Sequence, residues 1–127
     1  MTRLQRERYA ENCMRRIADL MPNRLTLKSS FLFDKGSMAY CTIEPEYLRG
    51  SINVNIDSLL TEKDIAKHTL HEFMHIPGWE LFTVAGDLAR NTQEAKLMKK
   101  VVRRANETMA STLEDMFFLL VFPEFDE

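Results

Sequence analysis

The sequence predicts a single α+β domain over residues 1–127: one helix, a three-stranded, mainly antiparallel sheet, and then helices to the end. Three observations predict this order. Apolar residues recur at three- and four-residue steps near the N-terminus, alternate with polar residues in the middle of the chain, and return to helical spacing after residue 61. A chain of 127 residues is long enough to bury one core without disulfides or other staples.

The first helix is predicted over residues 2–21, where apolar side chains at helical spacing are separated by arginines and glutamates. "MPN" ends it. Three β-like stretches follow, "RLTLKSSFLF", "SMAYCTIEP" and "GSINVNID", and "DKG" and "LRG" between them are typical turn sequences. The last stretch alternates apolar and polar residues most regularly, so it predicts the clearest strand.

The remainder is predicted to be helical. Thr61 and Asp64 resemble a capping box that begins a helix near residue 62, while Pro77 and Gly78 end it with His75 in the last turn. A shorter helix is predicted over residues 79–90 and a long one over residues 92–120. The long helix carries a predicted apolar stripe of Val102, Ala105, Met109, Leu113, Met116 and Leu120. We expect the acidic tail "FPEFDE" to fray.

The bulk composition excludes several classes of protein. The formal net charge is −2, so the whole chain is not attracted to nucleic acid or anionic lipid. The two cysteines, Cys13 and Cys41, do not form a disulfide framework and predict reduced thiols. No apolar run reaches the roughly 18 residues of a membrane span, and the charged N-terminus lacks a signal peptide's apolar region. We therefore expect a cytoplasmic protein without a membrane partner.

All three histidines fall within "HTLHEFMH", residues 68–75. Residues four apart on a helix are offset by about 40° around the axis and about 6 Å along it, so His71 and His75 project side by side. Both imidazoles can then reach one metal ion through bonds of about 2.0–2.1 Å. The partial negative charge at the helix C-terminus also favours a cation beside His75. The spacing predicts a metal site, against the simpler alternative of a helix whose histidines have no function.

Two neighbours of this pair have different expected roles. Glu72 lies about 100° around the helix from His71, where its carboxylate borders the metal face and can take a proton from a metal-bound water. His68 is seven residues from His75, about 10.5 Å along the axis, so one ion cannot easily hold both. His68 is therefore either an outer residue facing the metal ligands or substrate, or an exposed bystander.

"HEFMH" resembles the HExxH motif of zincin metallopeptidases, and the predicted order of elements resembles the minimal zincin-like core. The short length and late helices are also similar to small metallopeptidases encoded by phages and prophages. The resemblance is specific over residues 51–76. It implies a Zn²⁺ ion held by His71 and His75, with Glu72 as the general base.

The third ligand separates the zincin groups. Leu81 stands where metzincins have their third histidine, so that group is excluded. Gluzincins use a glutamate from a later helix, and "NE" at Asn106 and Glu107 resembles their motif. The resemblance therefore implies Glu107 as the third ligand, with Glu114 or Asp87 as alternatives.

The leading functional prediction is a zinc-dependent peptidase that hydrolyses peptide bonds with a zinc-activated water. An exposed edge strand, "SINVNID", would hold the extended peptide substrate. The alternative is a catalytically weak or inactive zincin-like phage protein that binds a host protein. The last helix also carries a basic run: Lys96, Lys99, Lys100, Arg103 and Arg104. The simplest interpretation is a solvated helix face, and the alternative is a surface that binds nucleic acid.

Overall fold

The computed structural model describes the backbone over most of the chain and the side chains mainly in its helical parts. The backbone is described for residues 1–20, 26–31, 39–44, 49–54, 59, 61–76 and 79–126. Side chains are described for residues 1–20, 59, 61–76 and 81–126.

Helix α1 spans Arg3–Ala18 and begins at a complete capping box. The Gln5 backbone N–H donates to Thr2 Oγ1 at 3.2 Å, and the Thr2 backbone N–H donates to Gln5 Oε1 at 2.7 Å. This arrangement satisfies two N–H groups that a helix start would otherwise leave without partners. The buried face of α1 consists of apolar residues at three- and four-residue steps, as predicted: Ala10, Cys13, Met14 and Ile17.

Three short extended segments follow α1: β1 (Thr26–Phe31), β2 (Ala39–Glu44) and β3 (Arg49–Val54). Their backbones pair in the order β1–β3–β2, with β1 parallel to β3 and β2 antiparallel to it. Half of the pairings are therefore parallel, and β3 has a neighbour on both sides. The prediction that "SINVNID" forms an edge strand for a peptide is wrong for residues 51–54, since β3 pairs with a strand on each side. Residues 55–57 lie outside the described residues.

Three more helices complete the chain: α2 (Glu62–Met74), α3 (Trp79–Arg90) and α4 (Ala95–Val121). Helix α2 packs against α1 and α4, and α3 packs against α4. A single 3₁₀ turn, Pro123–Phe125, follows α4. None of the helices that the structure describes combines the length and apolar character needed to cross a membrane.

The core that the described side chains form is mainly helical. Its buried members from α1, α2 and α4 are joined by Leu59 and by Phe122, which ends α4. The largest of them, Phe73 and Phe122, are 1% and 0% exposed. Burying an aromatic side chain of this size contributes roughly 1.5–3 kcal/mol relative to leaving it exposed. No strand residue belongs to the core that the described side chains form.

The structure therefore corrects the predicted fold class. The α+β prediction, a minimal zincin-like core around a three-stranded, mainly antiparallel sheet, is wrong: wherever side chains are described, the regular elements are helical. The physical reason is that alternation of apolar and polar residues is a local property. It indicates extended backbone, but pairing directions and the layer that buries the core depend on long-range contacts.

Helix α4 also buries a different face from the predicted stripe. Met116 and Leu120, both assigned to the stripe, are 61% and 76% exposed, whereas Ala110 and Phe118 are buried. Ala110 and Phe118 belong to a row at four-residue steps that also contains Asn106, Glu114 and Phe122. Apolar residues occur on several sides of α4, so the contact with α2 decides which side is covered.

The tail does not fray as predicted over the residues that are described. Phe118 and Phe125 stack with 5.7 Å between ring centroids, and Phe122 lies beside both rings. Glu124 forms an ion pair with Arg16 of α1. Aromatic burial and one charge pair therefore hold the segment after α4 against the first helix.

Candidate metal centre

Helix α2 presents the two motif histidines side by side, as the four-residue spacing predicts. The helix begins at Thr61, whose hydroxyl accepts a hydrogen bond from the Asp64 backbone N–H at 3.1 Å. His75 is the C-cap, so it ends the helix rather than lying inside its last turn. The His71 and His75 ring centroids are 5.1 Å apart, with the ring planes at 84°.

The Nε2 atoms of both imidazoles face one carboxylate group on α4, that of Glu107. His71 Nε2 lies 3.1 Å from Glu107 Oε2, and His75 Nε2 lies 3.2 Å from Glu107 Oε1. One ligand atom from each of the three residues can be chosen so that all lie within 4.8 Å of one another. His71, His75 and Glu107 therefore form a group close enough to hold a metal ion.

The other nitrogen of each ring is held by a second residue of α4. His71 Nδ1 lies 3.1 Å from Glu114 Oε1, and His75 Nδ1 lies 2.8 Å from Asn106 Oδ1. A histidine that binds a metal through one nitrogen usually donates the other N–H to a carboxylate or carbonyl oxygen, which fixes the ring and its tautomer. Glu114 and Asn106 are placed to accept these two hydrogen bonds.

The charge arrangement around His71 calls for a cation. Its two nitrogens face the carboxylates of Glu107 and Glu114, and a neutral imidazole has only one N–H to donate. The second contact is favourable only if the ring gains a proton or if a metal ion lies between Nε2 and Glu107. Lys67 Nζ is 3.8 Å from Glu114 Oε2 and neutralises only part of this negative charge.

The donor set suits a metal ion that accepts both nitrogen and oxygen ligands. Two imidazole nitrogens and one carboxylate oxygen are the three protein ligands of many catalytic zinc sites, which leave a fourth position for water. The His75 side chain is 8% exposed and the Glu107 side chain is 59% exposed, so the group is closed on the α2 side and open beyond Glu107. The group is therefore accessible to solvent from the Glu107 side.

Glu72 lies in the electrostatic environment of the same group. Burial raises the pKa of the Glu72 carboxyl group above its usual value. The neighbouring His75 and His71 lower this pKa, and the Glu107 carboxylate raises it. The carboxyl group of Glu72 therefore interacts electrostatically with all three members of the group.

The other candidates from the sequence lie elsewhere or act differently. Asp87 pairs with Arg90 on α3 and is not part of the group. Glu114 contacts the side of His71 opposite to Glu107, so it supports a ligand instead of acting as one. His68 also lies outside the group, and burial lowers the pKa of its imidazole.

Two features of the site were not predicted from the sequence. The Glu107 side chain is more than half exposed, so the group is open to solvent on that side. The role of Asn106 was missed, since it was noted only as the partner of Glu107 in the "NE" pair. Its position four residues before the buried Ala110 is the signal that could have placed it on the face toward α2.

The family resemblance of the motif remains an expectation, because no protein-family model, curated protein or solved structure matches this chain.

Proposed function

We propose that the protein is a zinc-dependent hydrolase that cleaves peptide bonds. The observation that carries the proposal is the convergence of His71 Nε2 and His75 Nε2 on Glu107, at 3.1 and 3.2 Å, with both Nδ1 atoms held from α4. A packed helix whose histidines had no function would not need an acceptor at every ring nitrogen. This arrangement supports a site built for a cation.

Zinc is the metal that this donor set favours. Imidazole nitrogens suit zinc and other late transition metals, whereas magnesium and calcium prefer sites made of oxygen atoms alone. With two nitrogens and one carboxylate oxygen, the group is similar in composition to the open sites of zinc hydrolases. His71, His75 and Glu107 are the residues that would hold the ion.

The residues of this chain then have distinct tasks in hydrolysis. A zinc ion bound here would polarise the scissile carbonyl group and lower the pKa of the attacking water. The Glu72 carboxylate would accept a proton from the attacking water and pass it to the leaving amine. Glu114 and Asn106 keep the two imidazoles oriented, and the exposed side of Glu107 admits the substrate.

A second candidate function is binding to another protein, with the metal retained for structure and little or no hydrolysis. The observation that favours it is an apolar stripe on α3, where Leu81, Val84 and Leu88 are 69%, 52% and 65% exposed. Exposed apolar side chains in a row are typical of surfaces that contact a partner. The open side of the metal group favours hydrolysis over this alternative.

Metal content and hydrolysis test the proposal separately. Elemental analysis of protein purified without chelator should find about one zinc per chain, and release of fluorescence from quenched peptide libraries should report cleavage. Glu72→Gln should retain the metal and lose cleavage, because glutamine fills the same space but cannot accept the proton. Glu62→Gln, a matched change on the exposed first turn of α2, should retain both.

Each result has a definite consequence. Absence of a stoichiometric transition metal would overturn the proposal. Bound zinc with no cleavage of any library peptide would favour the binding protein, and cleavage unchanged in Glu72→Gln would remove Glu72 from the mechanism.

A further inference from the structure

A groove of about 270 Å³ lies between α3 and α4, next to the candidate metal centre. Helix α3 contributes Phe82 and Gly86 to its wall, and α4 contributes Lys99, Arg103 and Asn106. The volume is sufficient for an amino-acid side chain or a small organic acid. The groove therefore has the size of a site for part of a substrate.

The lining combines an apolar wall with two positive charges. The Phe82 ring and Val102 supply apolar surface, while Lys99 and Arg103 supply an ammonium and a guanidinium group. Within the parts of the chain that the structure describes, no ion pair joins either cation to a carboxylate. An anion with an apolar body would pair with these cations while its body contacts Phe82 and Val102.

Asn106 connects the groove to the metal centre. It lines the groove, and its Oδ1 lies 2.8 Å from His75 Nδ1. Arg103 precedes Glu107 by one helical turn, about 6 Å along the axis of α4. A group held by Lys99 and Arg103 would therefore lie about 6–12 Å from Glu107 along α4, a distance that roughly two to four residues of an extended peptide span.

We propose that this groove binds a carboxylate of the substrate, so that the preferred peptide carries an acidic or C-terminal carboxylate with an apolar group beside it. That the bound carboxylate belongs to a substrate rests on the proposed hydrolase function. The groove and its two cations do not depend on the metal. Lys99 and Arg103 are specificity-determining residues in this assignment. Neither is a metal ligand.

The test is an NMR titration of the ¹⁵N-labelled, metal-loaded protein with 3-phenylpropionate and with its uncharged amide. The acid should shift the backbone amides of residues 99–106, and the amide should bind at least about tenfold more weakly because it lacks the charge. The double variant Lys99→Gln/Arg103→Gln should weaken binding of the acid by about tenfold or more. Equal binding of acid and amide would overturn the proposal.

The chain contains a matched control for these two cations. Lys100 and Arg104 have the same residue types and spacing one position further along α4, and neither lines the groove. Lys100→Gln/Arg104→Gln should change binding of the acid by less than about twofold. If both double variants weaken binding equally, general attraction to the basic helix face explains the result and the proposed site is wrong.

Two further measurements test whether the acid binds to the groove and not to the metal, and whether the groove prefers a carboxylate to a phosphate. His71→Ala should lose the metal but still bind 3-phenylpropionate; loss of the acid as well would show a carboxylate bound only by the ion and overturn the assignment. Methyl phenyl phosphate, which carries one negative charge like the carboxylate, should bind more weakly than 3-phenylpropionate. Stronger binding of this charge-matched phosphate through the same residues would replace the proposal with a phosphate site.

A steric variant tests the groove without altering its charges. A Cβ atom added at Gly86 would meet nothing within 4 Å, so a larger side chain can extend into the groove without a backbone clash. Gly86→Leu should keep the fold and metal content and weaken binding of 3-phenylpropionate by about tenfold. Unchanged binding in a folded Gly86→Leu protein would place the acid elsewhere.

Discussion

Two networks of charged residues on α4 and the segment after it differ in whether their charges are balanced. One contacts α1 and the other contacts α2. At the tail, Arg16 pairs with Glu124 through two hydrogen bonds of 2.6 and 2.8 Å, and its guanidinium group lies 4.8 Å from the centroid of the Phe122 ring. At α2, His71 lies between two carboxylates that it cannot satisfy as a neutral ring. The first network is balanced by its own residues. The second is satisfied only if the ring gains a proton or a metal ion lies between the histidines and Glu107.

This difference separates a contact that holds the fold from one that, in the proposed function, holds a metal ion. The tail contact buries aromatic rings and pairs every charge that it brings together, so its contribution is to stability. The α2–α4 contact keeps its ring nitrogens on one exposed carboxylate, which contributes less to stability and more to metal affinity. Substitutions in the two networks should therefore change different measured quantities.

The largest expected effect is on stability and comes from the tail. Phe122→Ala removes a ring that is 0% exposed, and cavity formation should lower the free energy of unfolding by roughly 3–5 kcal/mol. Urea unfolding followed by circular dichroism would measure it. Metal affinity of the molecules that remain folded should be unchanged; a large loss would show that the two networks are coupled.

The next effect is on metal affinity and comes from the incomplete network. His71→Ala removes one of three ligands and should weaken zinc binding by about a hundredfold or more, equivalent to about 2.7 kcal/mol. Competition with a chromophoric chelator would measure the dissociation constant. His68→Ala, three residues earlier on the same helix, is the control and should change zinc affinity by less than about twofold.

A smaller effect is expected from the residue that holds the far side of His71. Glu114→Gln keeps the shape but replaces a carboxylate acceptor with an amide, and such outer partners of metal ligands typically change affinity by about 10–100-fold. We expect the lower end, about tenfold, because the amide oxygen still accepts one hydrogen bond. Zinc affinity equal to that of the unsubstituted protein would show that Glu114 does not orient His71.

The smallest effect concerns the pH dependence of the tail contact. The hydrogen bonds from Arg16 lower the pKa of the Glu124 carboxyl group, so the contact stabilises the protein above the ordinary glutamate pKa of about 4.3. This stability is lost as pH falls through the lowered pKa of the folded state. Both side chains are more than 40% exposed, so solvent screening keeps the contribution below about 1 kcal/mol.

Unfolding of Glu124→Gln as a function of pH would measure that contribution. Its stability should be slightly below that of the unsubstituted protein at pH 7 and should become equal to it at strongly acidic pH. A difference that grows as pH falls would contradict the assigned direction. Glu11→Gln, an exposed glutamate on α1 with no described ion pair, is the matched control.

The part of the site that lies within one helix could be predicted from the sequence. The four-residue spacing of His71 and His75 determines that they project together, and Thr61 determines where α2 begins, because both effects act over a single turn. The positions of α3 and of most of α4 followed in the same way from helical spacing and from the residues that interrupt it. Local geometry is sufficient for each of these.

Tertiary contacts decided the rest. The choice among Glu107, Glu114 and Asp87 depends on how α4 crosses α2, and the contacts concerned join residues 36 and 43 positions apart. The same packing decided which face of α4 is buried, and the helical core that the described side chains form overturned the predicted fold class. The sequence by itself determined a two-histidine half-site on one helix. Only the packing of a second helix brought Glu107, Glu114 and Asn106 to it, because contacts between distant residues are selected by the burial of the whole core and not by spacing along the chain.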